Sequence, residues 1–193
     1  MCRQKAPPVM VRPTDNPVSI ATSLAEAAAR AGGRGPAPVE RWDPPYCGEM
    51  DLEIRADGSW IHEGRPITRP ELVVLFASIL KREGDRHFLV TPAEKLGIRV
   101  ADAPFLAVDA EIDPAGGTIT FTTNVGDRVT AGPDHPIELR GSADAPRPYV
   151  HVRAGLWALI DRKTFYRLVD AATPDDRGRL VLRSGGADFV LEV

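Results

Sequence analysis

The chain has 193 residues, 43% of them hydrophobic and 26% charged, a balance that suits a soluble globular fold and excludes fibrous and low-complexity classes. Its formal net charge is −3, so no basic field recruits nucleic acid, and no run approaches the about 18 apolar residues of a membrane span. Neither nucleic acid nor membrane is therefore an expected partner.

The start, "MCRQKAPPVM", has no apolar secretory segment, which predicts a cytoplasmic protein. Cys2 and Cys47 are the two cysteines, too few for a disulfide framework, and they point to a reducing compartment. Of the 24 basic residues 20 are arginine. Guanidinium forks suit phosphate and carboxylate, but these arginines are scattered, as GC-rich coding would also leave them.

Residues 1–45 read as a tail, a helix and a linker. "NPVSIATSLAEAAARAGG" has Asn16 as N-cap, Pro17 in the first turn and Gly32-Gly33 at the end, and the Pro/Gly-rich "RGPAPVERWDPPYCG" follows. An N-terminal α+β domain is expected over 46–104. In it Met50, Leu52 and Ile54 alternate with charge, an Asp57-Gly58 turn follows, and Trp60 to His62 complete a hairpin. Thr68 and Glu71 then form a capping box, Leu72, Leu75, Phe76 and Ile79 share a helix face, and Gly84 ends the helix. A β-rich C-terminal domain is expected over 105–193: alternating strands, a helix over about Arg162 to Ala172 with Asp161 as N-cap, and a closing hairpin.

The halves rhyme. "MDLEIRADGSW" lies over "RPYVHVRAGLW", the two helix faces correspond, and "RHFLVTPAEKLGIRV" lies over "RLVLRSGGADFVLEV". The predicted fold class is α+β, built from duplicated hairpin-helix-hairpin units, and two such units offer a cleft between them.

Three groups of residues could carry chemistry. Thr91 and Glu94 have capping-box spacing, which describes a turn, and Lys95 adds a charge that the turn does not need. Arg65 and Arg69 flank a helix start, where cations oppose the macrodipole unless an anion joins them; two solvated arginines are the plain alternative. Asp109, Glu111 and Asp113 share a strand face, which suits either a hard metal or solvent. The four histidines show no ligand spacing, and there is no P-loop and no GxSxG, so neither metal nor cofactor is expected.

"WDPPYCGEMDLEIRADGSWIHEGRPITRPELVVLFASILKREG", then "HFLVTPAEKLGIRVADAPF", "TNVGDRV" and "PYVHVRAGLWALIDRKTFYRLV" resemble the bacterial domain-of-unknown-function family numbered 1285. Cys47-Gly48, Gly58-x-Trp60, Arg65-Pro66-Ile67, Thr91-Pro92-x-Glu94-Lys95 and Asp102-Ala103-Pro104-Phe105 carry the resemblance jointly. It implies an internally duplicated α+β fold with a C-terminal half superficially like pleckstrin-homology domains. It also implies a pocket for a nucleotide-like compound at the domain interface and a role in signal transduction, with no established catalysis. Carried onto this chain, the ligand-binding candidates are Arg65, Arg69, Thr91, Glu94, Lys95, Asp102 and Arg153.

The resulting expectation is a non-catalytic cytoplasmic module that senses a small anionic, nucleotide-like ligand. The alternative is an adaptor that binds a peptide or signalling partner through its C-terminal half. A metal-dependent hydrolase using the Asp109 and Glu111 face comes last.

Overall fold

A computed structural model describes residues 35–113, 117–142 and 144–191, and the expected helix over Asn16 to Gly33 lies outside them. Two compact units divide the chain: the described residues up to Glu53 with Trp60–Arg99, and Ile54–Ser59 with Val100 onward. Cys47 is disulfide-bonded.

In the first unit, β1 (Tyr46–Ile54) buries Met50 and Leu52 and turns Asp51 outward, as its alternation predicts. The Asp57-Gly58 turn leads to β2 (Trp60–His62) and β3 (Arg65–Pro66). Gly58, in the Ile54–Ser59 segment that belongs to the second unit, has φ +78, and a Cβ there would stand 2.8 Å from Cδ1 of Leu106 in the same unit, so both backbone and packing call for glycine. Trp60 stacks on Phe76 with ring centroids 6.2 Å apart, and both are buried. Trp60 belongs to the core.

The helix here, α1 (Pro70–Ser78), is shorter than its capping box and apolar face predict. Its N-cap is Arg69, extended before Pro70 and making no side-chain cap bond, so Thr68 and Glu71 form no box. Nor does the helix continue to Gly84. Leu80 to Glu83 instead form β4 (Leu80–Glu83), paired antiparallel with β5 (Arg86–Val90) across a Gly84-Asp85 turn in which Gly84 has φ +59. Cross-strand pairing, with Leu80 facing Leu89, overrides the helical period. The next strand, β6 (Lys95–Val100), pairs with β5 and completes the order β3-β2-β1-β6-β5-β4. Lys95 N donates to Pro45 O at 3.1 Å and Ala101 N to Ile54 O at 2.9 Å, start to start and end to end, so β1 and β6 run parallel.

The second unit repeats this plan. Its strands β7 (Phe105–Asp113), β8 (Thr118–Thr123), β9 (Arg128–Thr130), β10 (Ile137–Ser142), β11 (Ala145–Arg153) and β12 (Leu156–Ile160) lie in the order β10-β11-β12-β7-β8-β9. Here too the first and last strands, β7 and β12, are parallel neighbours at the centre. The duplication is therefore of six-stranded sheets, with β1 to β6 lying over β7 to β12. This corrects the predicted register, which set β1 and β2 over β11 and β12. An alternating strand, a glycine turn and a tryptophan suit many hairpins, so that match did not identify equivalent strands. The helices are not counterparts either: α1 joins the two meanders of the first sheet, whereas residues 131–136 do so in the second.

After β12 comes α2 (Arg162–Ala171), close to its predicted span, with Asp161 Oδ1 accepting from Thr164 N at 2.7 Å. A small third sheet, β13 (Thr173–Pro174), β14 (Leu180–Ser184) and β15 (Ala187–Val190), closes the chain. Buried Ser184 pins it to β8: its Oγ accepts from Ile119 N and donates to Ala131 O, both at 2.8 Å. One hydroxyl thus satisfies two backbone groups that would otherwise be orphaned.

Candidate functional site

In the C-terminal sheet, Tyr149 of β11 faces Leu159 of β12, and β12 ends one residue later at Ile160. Residues Ala145 to Arg147 therefore outrun their neighbour. Pro146 has no N–H to present along that overhang and Pro148 none at its root, which keeps the bare edge from recruiting a further strand. The chain meanwhile turns at Asp161 into α2. A cleft of about 460 Å³ opens between the overhang and the first turns of the helix. Leu106, Leu159, Ile160 and Phe165 give it apolar walls, and Arg147, Arg162 and Tyr166 stand among its lining residues. The volume falls in the range that small-ligand sites occupy.

The polar groups of the cleft are not equivalent. Asp102 accepts from Arg147 Nη2 and from Tyr149 Oη, each at 2.7 Å, so Arg147 is held and its charge balanced. Burial, and then the hydrogen bond to Asp102, push the Tyr149 phenol up to about 12, keeping it a donor. Asp161 is committed to its cap. Arg162 donates through Nε to Tyr166 Oη at 2.8 Å and lies over that ring, 5.4 Å from its centroid. Among the described residues no carboxylate pairs with Arg162. Asp161, Arg147, Arg162 and Tyr166 are the charged and polar side chains of the lining.

Of the seven residues singled out by sequence, Asp102 alone reaches this cleft, through Arg147. Thr91 is the hinge of a tight turn: Ala93 N and Glu94 N donate to its Oγ1 at 3.2 and 3.1 Å. Its own N–H goes to the Glu94 backbone carbonyl at 2.9 Å, not to the Glu94 carboxylate. Lys95 donates to Glu83 at 2.9 Å, lies 5.0 Å from the Phe88 ring centroid, and keeps the Glu83 carboxyl below its ordinary range. Its charge, unexplained by the turn, thus already has a partner. Arg65 and Arg69 are exposed on the first unit. Arg153 pairs with Asp127 and stacks 4.9 Å from the Phe105 ring centroid.

Asp109 and Glu111, the acidic strand face, hold Arg167 at 2.6 Å and Arg128 at 2.8 Å, and these bonds keep both carboxyls below their usual range. Among the described residues no three His, Cys, Asp or Glu side chains gather as a metal site requires.

Sequence reasoning missed Arg147, Arg162, Tyr166 and the apolar walls. "PRPY" carried a signal, since two prolines inside an alternating strand mark an edge. Nothing in the sequence tells which arginine has a carboxylate beside it.

Two family profiles match the chain. "Domain of unknown function (DUF1285), N-terminal domain" covers residues 37–103, and "Protein of unknown function (DUF1285), C-terminal domain" covers 104–191. The chain belongs to the DUF1285 family. A DUF1285 protein of Silicibacter pomeroyi DSS-3, solved by crystallography, is 52% identical over 88% of this chain and 94% of its own, with a TM-score of 0.80. A second crystal structure, of a DUF1285 protein from Shewanella baltica OS155, is 29% identical over 64% of this chain and 94% of its own, with a TM-score of 0.53. No curated protein matches. Each DUF1285 profile spans one of the two repeated sheets, with the boundary between Ala103 and Pro104, just after Asp102.

Proposed function

We propose that this DUF1285 chain is a non-catalytic, cytoplasmic binding module that senses a small anionic ligand in a regulatory role. We place the ligand in the cleft beside α2. What carries the reading is a cavity with apolar walls and two arginines, one locked by Asp102 and one with no carboxylate partner among the described residues. Apolar walls supply affinity, and a few placed polar groups supply orientation. A six-stranded sheet followed by a helix also supports the superficial likeness of this unit to pleckstrin-homology domains.

A thermal-shift screen of anionic metabolites, run on wild type and on Leu159→Trp, tests it. A ligand at about 100 times its Kd adds about 2.7 kcal/mol, a shift of several degrees. Leu159→Trp fills the cleft and should abolish that shift. A shift that survives Leu159→Trp but is lost in Lys95→Ala would move the site to the first unit.

The adaptor reading has one observation in its favour. Strand β10 ends its sheet, so among the described residues its outer edge has no strand partner. A peptide that binds wild type and Leu159→Trp alike, but not Leu139→Pro, would support it.

A further inference from the structure

Resting on the cleft reading above, we infer that the ligand carries a single anionic group on an apolar body, and that Arg162 is the residue that reads its charge. Arg147 is balanced by Asp102 at 2.7 Å, and the same carboxylate is also engaged by Tyr149. Asp161 faces the cleft but spends its Oδ1 on Thr164 N. Two guanidiniums and two carboxylates thus come to zero before any ligand arrives.

A polyphosphate would bring several negative charges into this setting with one guanidinium open to pair with them. The desolvation of the remaining charges would go uncompensated. A monoanion leaves the smallest excess, a single charge. It needs one fork, and Arg162 can supply it: Nε is engaged by a neutral hydroxyl, and a carboxylate or sulfonate is the stronger acceptor. Tyr166 is 52% exposed and sits one helical turn beyond Arg162. The pair can part without disturbing the core, leaving Tyr166 to cover the apolar body while Arg162 turns to the anion. Leu106, Leu159, Ile160 and Phe165 then receive that body. The chemistry recognised is an amphipathic monoanion, such as a fatty or aromatic carboxylate, rather than a nucleotide.

The test is a fluorescence titration of the full chain with two probes of matched shape. One is 8-anilinonaphthalene-1-sulfonate, which has one negative charge; the other is N-phenyl-1-naphthylamine, which has none. The sulfonate should bind at least about tenfold tighter. Arg162→Gln should remove that advantage and leave the neutral probe within about twofold. Leu159→Trp should abolish both, and ATP in excess should displace neither. Arg162 is at the surface, so its variant folds; Tyr166→Phe, which frees Arg162 from the hydroxyl, should hold or tighten sulfonate binding. Equal affinity for the two probes, with both lost in Leu159→Trp, would overturn the charge inference and leave the cleft reading standing. Displacement of the sulfonate by ATP would overturn the preference for a monoanion. Binding of either probe that ignores Leu159→Trp would overturn the cleft reading itself.

Discussion

Asp102 accepts a hydrogen bond from Arg147 at 2.7 Å across 45 positions of sequence, tying the segment that follows β6 to the overhanging strand β11. The other carboxylate oxygen holds Tyr149, so two side chains of one strand face are set by one residue. Asp102→Asn keeps an acceptor for the phenol and removes the counter-charge of Arg147. Because Arg147 is 47% exposed, solvent screens much of the loss. Urea denaturation should report about 1 kcal/mol of destabilisation. A loss above about 3 kcal/mol would mean that the pair is far more shielded from water than its exposure indicates.

His87 supplies a pH dependence with a defined sign. Burial, and secondarily the charge of Arg82, push its imidazole down to about 4 from an ordinary 6.5. The folded state therefore resists protonation that the unfolded chain accepts. Stability from this residue is fully present above about pH 6.5 and is lost as pH falls toward 4. His87→Gln should flatten the acid limb of a stability-against-pH curve over that window, and an unchanged limb would show that other groups dominate it.

Ser184 is a structural residue with a large expected effect. Removing its hydroxyl in Ser184→Ala strands the Ile119 N–H and the Ala131 C=O in a buried setting. The expected cost is about 2 kcal/mol, within the usual range for unsatisfied buried groups. Chemical denaturation measures it. A neutral substitution would mean that water takes over both bonds.

Lys95→Ala tests whether the most prominent sequence candidate is anything more than structural. Its ammonium is paired with Glu83, which Lys81 also approaches at 3.4 Å. Binding of an anionic probe should be unchanged in the variant, and stability should fall by about 1 kcal/mol or less. A tenfold loss of binding would restore Lys95 to the ligand site.

Much of this fold could be read from the chain alone, where period and capping agreed. Helix α2 is the clearest case: Asp161 caps it and Leu168 is buried on its apolar face, as the spacing predicts. Helix α1 shows the limit. Its apolar period runs on through Ile79, but Leu80 onward finds a better partner in β5, a nonlocal pairing that local propensity does not contain. The duplication was legible as a fact and not as a register, because topology, not residue pattern, decides which strands are equivalent. The candidate cleft was the least visible part. Arg147, Arg162 and Tyr166 are ordinary surface residues until β12 stops short of β11, and Lys95, the more conspicuous charge, proves to be paired.

An amide chemical-shift map of the labelled full chain, titrated with a monoanionic amphiphile such as laurate, tests most directly whether the cleft beside α2 binds such a ligand. If ligand enters that cleft, the largest changes fall on Arg147, on Leu159 to Arg162 and on Phe165 to Tyr166, and they saturate together. Changes centred instead on Arg86, Phe88 and Lys95 of the first unit, with the α2 segment unmoved, would contradict it.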